Sequence, residues 1–211
     1  MGIQERKRKH KEDLKQLILD AAKKLFMKDG YEATSIRKIA AEIEFSPTTI
    51  YLYYKDKAEI SHALHQEGFK ILGQQLSILL VIEDPFERLK AMGKVYMQFA
   101  LEHGDFYELM FIMKDPLQTI HDCADNHWEE GQQAFRLLLS GIQACQEAGY
   151  FRSMDPETFS LVVWSTMHGL CALQLKGHLD MVVAHKNILQ DVDNVLQHTF
   201  ETFIKMLEKL R

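Results

Sequence analysis

Thr34 to Lys57 read TSIRKIAAEIEFSPTTIYLYYKDK, and this stretch decides the fold at one end of the chain. Ile36, Ile39, Ala40 and Ile43 recur at i, i+3, i+4 and i+7, which puts one apolar stripe on a short helix. Thr34 is its expected N-cap, with a hydroxyl placed to accept from an orphan backbone N–H. Glu44-Phe45 breaks the period. Ser46-Pro47 restarts it, Ser46 as cap and Pro47 at the first helical position, where a missing N–H breaks no intrahelical bond. Beyond that restart only Ile50 and Tyr54 need face inward. Thr48, Thr49, Tyr51 and Tyr53 then point outward, with Arg37 and Lys38 beside them. A pair of short helices that presents Thr, Tyr and Arg instead of Lys–Glu pairs is built for contact. Double-stranded DNA is the partner a helix-turn-helix of this kind fits.

The pattern outside this stretch is helical throughout. Leu14, Leu17, Ile18, Ala21, Ala22, Leu25 and Phe26 predict a first helix that stops at Gly30, and residues 1–11 (MGIQERKRKHK) precede it as a mobile basic arm. Asp56 is the expected cap of a fourth helix, with Glu59 completing a capping-box-like pair, and that helix is expected to run to about Val81. Asp84-Pro85 opens a fifth, with Leu89, Met92, Tyr96 and Phe99 inward. Gly104-Asp105 starts a short apolar sixth, FYELMFIM. A seventh runs from after Pro116 to Gly149. An eighth follows Asp155-Pro156 and ends before Gly177. The ninth is expected over Asn187 to Lys209, with Ile188, Val192, Val195, Leu196, Thr199, Phe203, Met206 and Leu210 as its stripe. No strand is required, so the predicted class is all-α with about nine helices. The domains are expected at 12–72, with the helix-turn-helix at about 34–53, and at 73–211.

Composition narrows the function. Four Pro and 11 Gly in 211 residues leave little room for long loops. The net charge of −5 is unevenly spread. Residues 1–60 hold 13 Lys+Arg against 10 Asp+Glu, and residues 61–211 hold 12 against 20. A basic end on an acidic body places nucleic acid at the basic end. Cys123, Cys145 and Cys171 lack CxxC spacing and suggest no disulfide framework, which fits a cytoplasmic protein. There is no signal-peptide pattern, and no apolar run approaches membrane-span length. A Gly-rich phosphate loop and a nucleophile elbow are both missing, so an enzyme is not expected. Among His121, Cys123, His127, His168 and Cys171, only His168 and Cys171 have helical i, i+3 spacing, short of the four ligands structural zinc takes. No metal or cofactor is expected.

Asp29-Gly30-Tyr31, Thr34 to Ala40, Ser46, Ile50-Tyr51, Tyr54 and Lys57 resemble the N-terminal domain of the tetracycline-repressor (TetR) family of bacterial transcription regulators. The match covers about the first third of the chain without a gap. Two positions depart from the family pattern. Glu44 stands where the turn usually has Gly, and Thr48 where Gly is frequent early in the second helix. Both lie at the expected DNA face. In the body, Trp164-x-x-x-His168-Gly169 resembles the Trp-His-Gly signature of one subgroup of C-terminal domains, with Trp164 and His168 on one helical face and Gly169 expected to let a helix approach closely.

These readings together nominate two sites. At the DNA end, Arg37 is expected on a guanine, because its guanidinium fork spans O6 and N7. Ser46 caps the second helix, and Pro47, Thr48 and Thr49 suit thymine methyl groups. Thr34 and Ser35 are expected as a phosphate clamp at one helix start, and Lys57 at another. The resemblance implies phosphate contacts for Tyr51, Tyr53 and Lys57 and a core position for Tyr54. In the body, Met and aromatic side chains at helical spacing are mostly core, yet Met also suits adaptable apolar sites. The resemblance implies an effector pocket, for which the candidates are Phe69, Leu72, Tyr96, Phe99, Met110, His127, Trp128, Trp164, Met167 and His168. The expected partners are palindromic operator DNA, a small, largely apolar effector and a second copy of the chain docked through the eighth and ninth helices, with no membrane. A DNA-binding regulator without a small ligand is the alternative, and an apolar interior with no pocket would favour it.

Overall fold

A computed structural model of the chain describes residues 2–113, 129–184 and 194–211. Among the described residues there are ten α-helices and no strand. The chain forms two compact units, residues 1–69 with 105–128 and residues 70–104 with 129–211. It passes between them inside the fourth helix, where the sequence placed its boundary after residue 72, and again at Gly104-Asp105. Residues 105–113, read as part of the body, group by their contacts with the first unit.

The first unit contains α1 (Ile3–Asp29), α2 (Ile36–Glu42), α3 (Pro47–Tyr51), the first part of α4 (Lys57–Ser77) and most of α6 (Gly104–Tyr107). The buried face of α1 runs through Leu14, Ile18, Ala21, Ala22, Leu25 and Phe26, while Leu17 lies outside it. Helical backbone already begins at Ile3, so residues 3–11 of the basic arm continue α1 as helix. Ser35, not Thr34, caps α2: its Oγ accepts from the Lys38 N–H at 3.3 Å. Thr34 is only 2% exposed because its Oγ1 donates inward to the Gly30 carbonyl at 2.8 Å.

The end of α2 explains the turn. Phe45 N–H donates to Ala40 O at 2.9 Å and Glu44 N–H to Ala41 O at 3.2 Å, the paired bonds of a Schellman motif. That motif puts its C′ residue in the left-handed region, and Glu44 sits there with φ 58. The same pair of bonds ends α7 (Glu129–Glu147), from Tyr150 N–H to Cys145 O and from Gly149 N–H to Gln146 O, but with Gly149 at φ 101. Glycine adopts that conformation without a Cβ penalty, and glutamate does not.

As expected, Asp56 accepts from Glu59 N–H at 2.8 Å, but the Glu59 carboxylate takes the N–H of Lys55, one residue before the position a capping box uses. α4 stops at Ser77, and Ile78–Val81 tighten into a 3-10 turn. α6 continues as a π turn over Glu108–Ile112. Bare Gly68 on α4 is what admits Met110, since a Cβ there would lie 2.4 Å from the thioether sulfur.

The second unit is built from α5 (Pro85–Glu102), α7, α8 (Pro156–Leu175), α9 (His178–Ala184) and α10 (Val195–Glu208). Asp84 and Asp155 cap α5 and α8 with Pro at the start of each, as the sequence reading holds. Phe86, Leu89, Ile142, Cys145, Phe151, Phe159, Val163 and Leu207 form one apolar cluster, with Tyr150 stacked on Phe86 at 4.6 Å. α9 was not anticipated: seven residues after Gly177 are too few to show a period, and Leu179 alone is buried. The last helix starts at Val195, capped by Asn194, and the expected start at Asn187 lies outside the described residues. Ile188 and Val192 lie outside the described residues. Its inward residues are Leu196, Phe200 and Leu207, whereas Met206 and Leu210 of the expected stripe are exposed. α8 is long and apolar enough by length and composition to cross a membrane. Ser160, Ser165, Thr166 and His168 interrupt its apolar run, which is why the sequence showed none of that length.

Candidate functional site

The helix-turn-helix presents its polar side chains outward because its apolar ones are used. Ile36, Ile39, Ala40, Ile50 and Tyr54 are buried, and these five positions orient α2 and α3. Arg37 and Lys38 are exposed on α2, with Lys38 Nζ 3.5 Å from the Asp29 carboxylate. Ser46 Oγ accepts from Thr49 N–H at 3.2 Å and lies 2.9 Å from Thr49 Oγ1, so the cap and the second turn of α3 are tied together. Thr48 and Tyr51 are exposed, and Pro47, Thr49 and Tyr53 half-buried.

Two nominated phosphate ligands stand differently from expectation. The Thr34 hydroxyl points into the unit and is committed to Gly30, so only Ser35 of the proposed clamp is exposed. Lys57 Nζ donates to Tyr31 O at 2.7 Å and lies 4.0 Å from the centre of the Tyr31 ring. Lys57 thus ties the start of α4 to the α1–α2 corner with one of its three N–H groups. Sequence reasoning missed two outward apolar side chains, Phe45 and Leu52, of which Leu52 is 76% exposed. Leu52 directly follows α3, and period analysis of a five-residue helix cannot assign the residue after it.

The candidate pocket residues divide between the units. Phe69 and Met110 are buried in the first, where Phe69 packs edge-on against Phe111 at 5.4 Å. His127 and Trp128 lie outside the described residues, as do His121 and Cys123. In the second unit Leu72, Phe99 and Met167 are buried core. Tyr96, Trp164 and His168 come together as a polar chain. Trp164 Nε1–H donates to Tyr96 Oη at 3.2 Å, and that oxygen lies 3.3 Å from His168 Nδ1. The hydroxyl donates to His168 in the tautomer protonated at Nε2, and burial favours that neutral ring by lowering the His168 pKa. Phe135 stands edge-on to Trp164 at 6.4 Å. The chain joins α5 to α8 with three polar tips on aromatic bodies, Tyr96 buried and Trp164 and His168 half-buried, an arrangement that can orient an apolar molecule carrying one polar group.

Two cavities of the second unit lie elsewhere. One, of about 480 Å³, is lined by Leu101, Gln174, Asp180, Val183 and neighbouring residues. The other, of about 130 Å³, lies among Leu76, Arg88, Met92, Leu137 and Ser140. Neither includes a nominated residue. Among the described residues no group of three His, Cys, Asp or Glu could hold a metal. Burial pushes the Cys171 thiol up to about 12, so it stays neutral beside His168 in sequence. A Cβ at Gly169 would meet nothing within 4 Å, so no other helix among the described residues approaches it closely. α8 instead carries Leu161, Val162 and Leu173 exposed on its outer side.

Residues 18–64 match the family model for bacterial regulatory proteins of the tetR family, and residues 89–202 match that for the tetracyclin repressor-like C-terminal domain. Among curated proteins, the chain is 26% identical over 190 residues to YvkB, an uncharacterized HTH-type transcriptional regulator of Bacillus subtilis, covering 89% of this chain and 94% of that one. Among solved structures, the fatty acid degradation regulator FadR from Bacillus halodurans superposes with a TM-score of 0.70 at 17% identity, over 92% of this chain and 93% of its own. The regulator PfmR from Thermus thermophilus gives 0.68 at 21% identity, over 91% and 97%.

Proposed function

The chain belongs to the TetR family of bacterial transcriptional regulators, and from that premise we propose that it is a dimeric repressor which a small, largely apolar effector releases from a palindromic operator. The observation that carries the reading is the outward set Arg37, Thr48, Thr49 and Tyr51 around an α3 whose start is fixed by Ser46 and Pro47. Arg37 reads a base edge, and Pro47, Thr48 and Thr49 meet thymine methyls. Ser35, Tyr51, Tyr53 and Lys57 hold phosphates, Lys57 with the N–H groups that Tyr31 does not take. Residues 12–72 form the DNA-reading domain and 73–211 the effector and dimer domain. The protein works in the cytoplasm, where its DNA is.

One helix-turn-helix reads one half-site, so a palindrome needs two. The outer side of α8, with Val162, Gly169 and Leu173, and the exposed Met206 and Leu210 of α10 support a four-helix contact between two copies. The Trp164–Tyr96–His168 chain supports effector binding in the body, and FadR, which shares the fold, is named for fatty acid degradation. The effector acts through α4, whose start carries Lys57 and whose later turns carry Phe69 and Leu72. It shifts the DNA-binding equilibrium by the difference in its contacts with the two states, typically about 1–3 kcal/mol, or roughly 5- to 150-fold in operator affinity.

The test begins with selection of bound duplexes from a randomised pool, which should return a palindrome. Long-chain acyl compounds and other apolar acids and alcohols are then screened for operator release and for quenching of tryptophan fluorescence. Tyr96→Phe should weaken the response while leaving effector-free affinity unchanged. If selection returns no palindrome, or if no apolar compound releases one, the reading is wrong.

A further inference from the structure

We propose that Arg6 to Lys11 on α1 form a second DNA-contacting surface, which binds backbone phosphates beyond those met by the helix-turn-helix. This rests on the DNA-binding reading above and extends it to a segment outside the family match, which begins at residue 18.

Residues 6–11 read RKRKHK, five Lys or Arg and one His, inside the continuous helix Ile3–Asp29. Every side chain from Gln4 to Asp13 is exposed, and Leu14 is the first buried residue of α1. The segment therefore packs on nothing within the described residues. None of the four ion pairs among those residues includes one of its cations. Lys7–Lys11, Arg6–Lys9 and Arg8–Lys11 are like-charge neighbours at i, i+4 or i, i+3, while Glu5–Lys9, Arg8–Glu12 and Lys9–Asp13 are opposite-charge neighbours at i, i+4, so the two effects offset along the helix and the segment keeps a net positive charge for a polyanion.

The root of the segment belongs to the unit that holds α2 and α3. Tyr54 follows α3, and its hydroxyl pKa is raised to about 12 by burial first, then by the charges of Glu59, Glu67 and Glu12. The contact of α1 with α4 is direct here: Gln16, one turn on from Glu12, donates through Nε2 to Glu67 Oε1 at 3.2 Å. From Glu12 back to Arg6 the helix extends about 9 Å. Duplex DNA offers one phosphate charge per roughly 1.7 Å of its axis, so that length and the reach of the side chains span several. Only cations on the side facing the rod can engage, which leaves about two or three of the five.

The experiment compares the full-length protein with R6Q/K7Q/R8Q/K9Q/K11Q, using anisotropy of a labelled mixed-sequence duplex of about 40 base pairs between about 50 and 200 mM salt. Each lost phosphate contact lowers the slope of log affinity against log salt by about 0.9, so the variant should lose about 2 from the slope. Over that fourfold salt range the wild type should then weaken on the order of 20-fold more than the variant. Circular dichroism and thermal melting should be unchanged, since the side chains pack on nothing. Equal slopes overturn the proposal. Equal slopes with loss of binding to phosphatidylserine-containing vesicles assign the segment to lipid and overturn it too. If the wild type itself shows no salt-dependent binding to the duplex, the DNA-binding reading has failed and the segment's role with it.

Discussion

Replacing Glu44 by glycine should stabilise the first unit and leave the turn where it is. Glu44 occupies the C′ position of a Schellman motif at φ 58, and both bonds of that motif are made by the backbone. A left-handed residue with a Cβ costs about 1–2 kcal/mol. Glycine escapes that strain but gives up about 0.5–1 kcal/mol through the greater freedom of the unfolded chain. The net gain for Glu44→Gly is therefore about 0.5–1 kcal/mol, or roughly 1–4 °C in Tm if unfolding is two-state. Urea titration followed by circular dichroism measures it. Glu44→Ala is the control: it removes the same charge but keeps the Cβ and hence the strain. Both variants should bind duplex DNA somewhat more tightly at low salt, because each removes a negative charge near the phosphates. Only the glycine variant should be more stable. If Glu44→Ala is stabilised as much as Glu44→Gly, charge and not backbone strain governs the position. If neither gains, the argument from φ is refuted. Gly149, which holds the matching place at the end of α7, supplies the converse: Gly149→Ala should destabilise by about 1 kcal/mol.

Three further outcomes are open to measurement. Val162→Glu together with Met206→Glu should give a folded monomer with poor operator affinity by light scattering and anisotropy, since both side chains are at least half exposed, whereas Leu196→Glu should unfold the second unit. Lys57→Met should cost about 1 kcal/mol of stability through loss of the Tyr31 contacts and weaken all duplexes alike, while Arg37→Ala should leave stability within about 0.5 kcal/mol and relax preference at one base of each half-site. His65 is 3% exposed, and burial lowers its pKa from 6.5 to about 4. Its folded form refuses a proton that the unfolded form accepts, so its stability contribution is intact above pH 6.5 and falls as pH drops, by about 3 kcal/mol at pH 4. His65→Leu should flatten that dependence in urea titrations between pH 7 and 4, and an unchanged slope would show that His65 titrates normally.

What the sequence determined by itself was whatever rests on neighbours in the chain. The caps at Ser46, Asp56, Asp84 and Asp155 were legible because each is a single side chain bonding an N–H two or three residues on. The apolar stripes of α1, α2 and α5 and the stops at Gly30, Gly149 and Gly177 were legible for the same reason, and the spacing of residues 29–57 sufficed to suggest the family. Choices between near-equivalent local options were decided only in three dimensions. Thr34 and Ser35 are both good caps, and burial of Thr34 against Gly30 left the role to Ser35. Phe200 and Leu207 turned inward beside the expected Leu196, in place of the equally plausible Thr199, Met206 and Leu210, because the rotation of α10 is set by the room that bare Gly93 leaves for Phe200 and by the cluster around Leu207. The meeting of Tyr96 with Trp164 and His168, some seventy residues apart, depends on how α5 packs on α8. Periodicity fixes which side of each helix is apolar, but the rotation and offset that bring two polar tips together follow from packing across the unit, and nothing local in the chain encodes them.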